Sequence, residues 1–290
     1  MHVSRPNIAR KVEEEDIHYN QKYIERRLSS LAEGARGMHF GVNNMYGKVL
    51  EFLVVDPRAE DIRTWEAWVT SMQYHHAFYQ VSMAEPYSRV DCSVGGRIWD
   101  LGSLKPNYAI NASSWIGLIR ETLTCRASDR SRFLAHVPIE ALRRAGESEG
   151  SRFMPGAYAE VEAWQAFVLG SPDTARLVER ARELSDPKRA SFAADYAEML
   201  TLPELDVLGR LVAGDGPGFN EALVRALESY REYTAEELAK GSTTGILPLG
   251  LLALACLAHD GAAEGVSLEV ESDYLPAGIV NGSWLDAFPI

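Results

Sequence analysis

The stretch that decides the fold class is Asp61-Ile-Arg-Thr-Trp-Glu-Ala-Trp-Val-Thr-Ser-Met-Gln-Tyr-His-His-Ala-Phe-Tyr-Gln-Val-Ser-Met83. Mostly apolar side chains recur in it at alternating spacings of three and four residues, which is the period of one helix face. They are Ile62, Trp65, Val69, Met72, His76, Tyr79 and Met83. A stripe of this length predicts one helix of about six turns.

The helical period continues on both sides of this stretch. Upstream, a similar stripe covers residues 38–52 and stops at Asp56-Pro57. Downstream, Asn111 has a side chain suited to capping a helix, and Thr201 and Glu204 have the spacing of a capping box. Further helix starts are predicted by prolines, because proline suits the first helical turn. These are Pro138, Pro155, Pro172, Pro187, Pro203 and Pro217.

One segment breaks the helical pattern and predicts a β-hairpin near residues 89–101. Its centre is Gly95-Gly96, a dipeptide that supplies the positive φ angles of a two-residue turn. The residue pairs that face each other across this turn are Cys92 with Trp99 and Val90 with Leu101. Because an isolated hairpin is only marginally stable, the alternating stretch 266–271 is the candidate for a third strand.

These patterns predict a mainly α fold, an antiparallel helix-pair bundle or stack with a small β element. We expect residues 1–290 to form a single domain in which residues 1–33 are a variable N-terminal helical segment. A chain of 290 residues can bury about three quarters of its unfolded surface, so it needs no disulfide or metal to fold.

Several features favour a cytoplasmic protein. The N-terminus lacks the charged-then-apolar layout of a secretory signal. The longest apolar run, residues 246–258, is too short to span a bilayer and predicts a buried core helix. The three cysteines, Cys92, Cys125 and Cys256, are widely spaced among apolar neighbours, which is typical of reduced core thiols.

Charge is distributed unevenly along the chain. The formal net charge is −12, from 29 basic and 41 acidic residues. The last fifty residues contain no lysine or arginine, and they carry six of the acids: Asp260, Glu264, Glu269, Glu271, Asp273 and Asp286. This composition excludes nucleic acid phosphates as the expected partner and favours a cationic protein.

The alternation in residues 266–274 predicts which of these acids face water. With a period of two, Val266, Leu268 and Val270 point inward and the intervening glutamates point outward. We therefore predict a partner-binding surface built on Glu269, Glu271 and Asp273, with Asp260 and Glu264 nearby and Tyr274 as a candidate anchor. The alternative is a merely solvated strand face, the commonest environment of such residues.

No signature of catalysis or metal binding accompanies this surface. The sequence has no Gly-x-Ser-x-Gly, no His-Glu-x-x-His and no Cys-x-x-Cys, so we predict no catalytic residue, metal or cofactor. His75 and His76 are adjacent on a helix and diverge, and His76 is typical of a hydrogen-bonded core histidine. Glu269 and Glu271 have a spacing that an acid and a base can use, but as neighbours on one face they share one environment.

Four segments of the chain resemble a known family. They are Thr64-Trp-Glu-Ala-Trp-Val-Thr-Ser-Met-Gln73, Gly218-Phe-Asn-Glu-Ala-Leu223, Leu247-Pro-Leu-Gly-Leu-Leu-Ala-Leu-Ala-Cys-Leu-Ala258 and Leu268-Glu-Val-Glu-Ser-Asp-Tyr-Leu-Pro276. In order and spacing they resemble the immunity protein 49 family of bacterial polymorphic toxin systems, from about residue 40 to the end. The resemblance implies a mainly α-helical, non-enzymatic, cytosolic protein that is encoded beside a toxin and blocks it.

The leading hypothesis is therefore a non-enzymatic immunity protein that binds and neutralises a cognate toxin through an acidic surface. The expected toxin is cationic, a nuclease being one candidate, and neither nucleic acid nor a membrane is an expected partner. The first alternative is a helical-repeat-like scaffold or regulator that binds a peptide or protein in a groove between helices. The second is a hydrolase that uses carboxylates, which would require a deep pocket.

Overall fold

The computed structural model describes residues 2–290. Its helices are α1 (Glu14–Ser29), α2 (Met38–Val55), α3 (Ile62–Met83), α4 (Ala112–Thr124), α5 (Ser128–Ala135), α6 (Ile139–Gly146), α7 (Pro155–Val168), α8 (Thr174–Leu184), α9 (Ala194–Tyr196), α10 (Leu202–Val212), α11 (Gly216–Ala239), α12 (Leu249–His259) and α13 (Ala277–Val280). Its strands are β1 (His2–Val3), β2 (Arg89–Val94), β3 (Arg97–Gly102) and β4 (Glu271–Ser272). The predicted mainly α fold with a small β element is confirmed.

Helix α3 lies at the centre of the fold. It begins at the predicted place because the Asp61 side chain accepts a hydrogen bond from the Arg63 backbone nitrogen. The helix packs on α2, α4 and the hairpin, so it is buried on nearly every face rather than on one stripe. The Trp68 indole, for example, donates to Thr124 Oγ1 of α4 at 3.0 Å.

The other helices pack mainly as pairs. Consecutive pairs form from α2 with α3, α7 with α8, and α10 with α11. The apolar helix α12 packs on α4, so a helix near the C-terminus reaches the middle of the fold. Its residues are buried almost throughout, as the apolar run 246–258 predicts. Buried apolar side chains from Val3 to Val280 form one continuous core.

The hairpin has the predicted register. Cys92 pairs with Trp99 and Val90 with Leu101, and both turn glycines have positive φ, 61° at Gly95 and 71° at Gly96. The predicted third strand is wrong, because residues 266–271 do not join the hairpin. Instead β4 pairs in parallel with β1 at the N-terminus. The predicted alternation of burial is nevertheless present from Val266 to Val270.

The predicted capping box at Thr201 is also wrong. Thr201 has helical backbone angles and makes no side-chain cap, because the chain is already helical before it, through α9 and a π-helical turn at Ala197–Thr201. The Glu204 side chain does not return to the backbone of Thr201. It turns inward, where it meets the guanidinium of Arg120.

The remaining predictions concern cysteines, membrane-spanning helices and metal sites. Cys92, Cys125 and Cys256 are all buried free thiols. No helix within residues 2–290 combines the length and the apolar composition that crossing a membrane requires. In the same residues, no three histidine, cysteine or acidic side chains come together as metal ligands would.

Candidate functional site

The N-terminal segment and the C-terminal segment meet along an open groove of about 770 Å³. One side is formed by residues 268–277 and includes Glu269, Glu271 and Asp273, and the facing side includes His2, Arg5 and Arg58. Three of the six predicted partner-binding residues therefore lie together. The groove joins the two ends of the chain, which no local sequence pattern shows.

A buried asparagine fixes the extended backbone of residues 267–269. Asn220 of α11, 3% exposed, donates from Nδ2 to the Ser267 carbonyl at 2.9 Å. Its Oδ1 accepts from the Glu269 backbone nitrogen at 2.9 Å. The amide thus supplies the donor and the acceptor that a neighbouring strand would supply, so this segment is extended and ordered without belonging to a sheet.

The next residues are held by β1. In the parallel pairing, His2 lies opposite Glu271 and Val3 opposite Ser272. The Val3 carbonyl accepts from Ser272 Oγ at 2.7 Å and from the Asp273 backbone nitrogen at 3.3 Å. As a result, the backbones that carry Glu269, Glu271 and Asp273 are fixed before any partner arrives.

The carboxylates of this groove differ from its arginines in their pairing. Glu269 and Glu271 are exposed and form no ion pair with another described residue. Arg5 donates from Nη1 to the Ile246 carbonyl at 3.1 Å, and burial lowers the pKa of its guanidinium. Arg58 pairs with Glu60 at 2.7 Å. The acidic side of the groove therefore presents unneutralised charge to solvent.

Asp273 is more constrained than the two glutamates. Its Oδ2 accepts a hydrogen bond from the Arg5 backbone nitrogen at 3.1 Å, and its Oδ1 lies 3.9 Å from His2 Nε2. Half of its side chain remains exposed. Asp273 can contact a partner, but part of its charge already stabilises the N-terminal segment.

Two predicted acids lie outside the groove. Asp260 accepts from the Arg126 guanidinium at 2.8 and 3.0 Å, and the same guanidinium donates to the carbonyls of Ile279 and Val280. This pair ties α12 to α13 and is structural. Glu264 is exposed, in the turn that passes Gly214. Of the five predicted acids, only Glu269, Glu271 and Asp273 thus line the groove.

The prediction that Tyr274 anchors the partner is wrong. Its side chain is fully buried, and its ring packs edge-on against Tyr230 with centroids 5.4 Å apart. A partner cannot reach it while the chain is folded. The period of two that places Val270 inward places Tyr274 inward as well, so it supports the acidic side of the groove from beneath.

Replacing Asn220 with alanine is expected to destabilise the protein by about 1 to 3 kcal/mol, because the Glu269 amide and the Ser267 carbonyl lose their partner. Urea unfolding measures the loss, and hydrogen exchange should show faster exchange at the Glu269 amide. Asn43→Ala is the control, since Asn43 is exposed and in a helix. Equal stability of the two variants would contradict the role of Asn220.

No sequence pattern predicted the largely buried charge cluster on α4, α7 and α10. Arg120 Nη2 donates to Glu160 Oε1 at 2.6 Å and lies 2.5 Å from Glu204 Oε1. Burial raises the pKa of Glu160, and it raises that of Glu204 to about 7. The one available signal was a lone glutamate in the apolar run Ala157-Tyr-Ala-Glu-Val161.

The fold and the groove define a mainly α-helical protein with a preformed acidic surface. The family model for immunity protein 49 matches residues 56–279, most of the chain, and the protein belongs to that family. Toxin neutralisation is the function that this membership indicates, and such families are generally non-enzymatic. No curated protein and no solved structure matches the chain.

Proposed function

We propose that this protein neutralises a cognate toxin by binding it, without catalysis, through the acidic side of the groove. The observation that carries the proposal is the pair Glu269 and Glu271, which are exposed, have no ion-pair partner among residues 2–290, and lie on a backbone that Asn220 and β1 hold in place. Asp273 extends this surface. Asp260 and Glu264 are not part of it.

The charge pattern supports a cationic toxin. Complementary potentials raise association rates above the neutral value of about 10⁵ to 10⁶ M⁻¹s⁻¹, which matters for an inhibitor that must act before damage occurs. A nuclease toxin fits this pattern because its own substrate site is basic. Because the backbone that carries these glutamates is already ordered, binding loses less conformational entropy.

The environment of the two glutamates favours binding over hydrolysis. Both face solvent on the same extended segment, so they share one environment, whereas a catalytic acid and base need different ones. The groove around them is open. Three buried, unpaired thiols support the cytoplasm as the site of action.

Glu269→Lys with Glu271→Lys is expected to slow association with the toxin by about tenfold or more at low ionic strength. The difference should shrink as salt is added, because exposed charges are screened. Stopped-flow or surface-based kinetics measure it, using the C-terminal domain encoded by the neighbouring toxin gene.

The matched control is Glu25→Lys with Glu85→Lys, which changes net charge equally at exposed positions away from the groove. If both double variants slow association alike, the groove is not the interface and only net charge matters. Growth rescue on co-expression with the toxin domain tests neutralisation itself, independently of which surface is used.

A further inference from the structure

A second cavity of about 320 Å³ lies beneath the segment that connects α8 to α10. Helices α4, α7 and α10 contribute its floor, and residues 185–201 form one wall. Within residues 2–290, none lines both this cavity and the groove. Its own side chains therefore determine which ligands it fits.

The floor carries more negative than positive charge. Glu160 and Glu204 share the single guanidinium of Arg120, through one nitrogen, at 2.6 and 2.5 Å. Glu160 is 5% exposed and lines the cavity. Two largely buried carboxyl groups against one guanidinium leave a carboxyl group with which a further cation can pair.

Aromatic rings stand at the mouth of the cavity. Phe192 and Tyr196 line it while remaining 46% and 48% exposed. Tyr233 of α11 packs edge-on against Tyr196, with ring centroids 6.2 Å apart. Faces of exposed aromatic rings attract ammonium and guanidinium groups, the more so when a ligand is partly desolvated.

The backbone of this wall is irregular. Ala193 has a φ of 54°, in the left-handed region that costs a non-glycine residue about 1 to 3 kcal/mol. The π-helical turn Ala197–Thr201 follows directly. Together these irregularities keep Phe192 and Tyr196 at the mouth instead of in the core, and π-turns are frequent at functional sites.

We propose that this cavity binds an organic cation, an ammonium or guanidinium group, with its charge toward Glu160 and Glu204 and its alkyl stem between Phe192 and Tyr196. A lysine or arginine of a protein partner and a free amine both supply this chemistry. Arg152 lies exposed on the rim without an ion-pair partner among the described residues. Its charge opposes the ligand and limits affinity.

Calorimetric titration with butylguanidinium and butylammonium tests the site, with butyrate as the anionic counterpart. Both cations should bind the wild type, and butyrate should not. Glu204→Gln is expected to weaken binding about tenfold, through loss of a charged partner. Phe192→Ala should weaken it about threefold, through loss of a cation–π contact, and removes only an exposed side chain. Arg152→Ala should strengthen it.

A second readout separates binding at this floor from binding elsewhere. A cation beside Glu204 favours its ionised form, so binding at pH 7 should release protons, detected in buffers of different ionisation enthalpy. The release should vanish in Glu204→Gln and persist in the exposed control Glu149→Gln. Absence of cation binding to the wild type, or butyrate binding that Arg152→Ala weakens, would overturn the proposal.

Competition with the toxin identifies the source of the cation. If a toxin side chain enters the cavity, saturating butylguanidinium and Glu204→Gln should each weaken the toxin complex. If the toxin binds equally well, the site belongs to a free amine. Both results are consistent with the cation site. The calorimetric titration uses no toxin, so a failure to bind cations is distinguishable from a failure of the proposed function.

Discussion

Replacing Arg120 with methionine is expected to lower the free energy of unfolding by about 3 to 5 kcal/mol at pH 8, because two largely buried carboxylates lose the guanidinium that pairs with both. A loss of this size is a large fraction of the total stability of a domain, about 5 to 15 kcal/mol. At pH 5 the loss should be much smaller, since Glu160 and Glu204 can then be protonated and stay buried without charge.

Urea unfolding of the variant at both pH values measures the effect. The control is Arg144→Met, which removes the same type of side chain from an exposed position that has no ion pair with another described residue and should change stability by less than about 0.5 kcal/mol. Adding Glu160→Gln and Glu204→Gln to Arg120→Met should restore most of the stability at pH 8. A loss that does not depend on pH would mean that Arg120 acts through packing instead.

Local patterns predicted the elements that local chemistry forms. The stripe in α3 and the Asp61 cap use neighbours within a few turns, and the hairpin register follows from two adjacent glycines. Each such feature is decided by residues close in sequence. Their positions in the structure therefore match the prediction.

Features that join distant parts of the chain were not predictable in this way. The partner of β4 is a two-residue strand at the N-terminus, too short to show alternation. The Asn220 side chain makes the hydrogen bonds that a neighbouring strand would make. No periodicity in the sequence predicts such a contact. Arg120 meets Glu160 and Glu204 across 40 and 84 positions, and isolated charges on helices usually face solvent.

The candidate site was predictable in part for the same reason. Alternation placed Glu269 and Glu271 outward, as the structure shows. Asp260 could not be separated from them, because its partner Arg126 is 134 positions away. The number of acidic residues in a segment therefore predicts a partner-binding surface less well than the ion pairs that neutralise those residues in the fold.

The pH dependence of the free energy of unfolding should show contributions of opposite sign from Glu204 and His76. Glu204 has a pKa of about 7 in the folded protein, raised by burial from 4.5, so its stabilising contribution is complete below pH 4.5 and is lost as pH rises through 7. His76 behaves in the opposite way. Burial and the nearby charge of Arg130 lower its pKa from 6.5 to about 3, so its contribution is complete above pH 6.5 and is lost as pH falls toward 3.

Between pH 4.5 and 6.5 the contributions of Glu204 and His76 have opposite slopes, so they partly cancel in the wild type. Glu204→Gln removes the contribution of Glu204 to this pH dependence, because an amide of similar shape does not ionise. Relative to the wild type, the variant should gain up to about 3 kcal/mol as pH rises from 4.5 to 7.5, at about 1.4 kcal/mol for each unit of pKa shift. Urea unfolding at half-unit pH steps measures this gain. The same substitution at exposed Glu149 should leave the profile unchanged, and a constant offset between Glu204→Gln and the wild type would show that Glu204 remains ionised in the fold over this range.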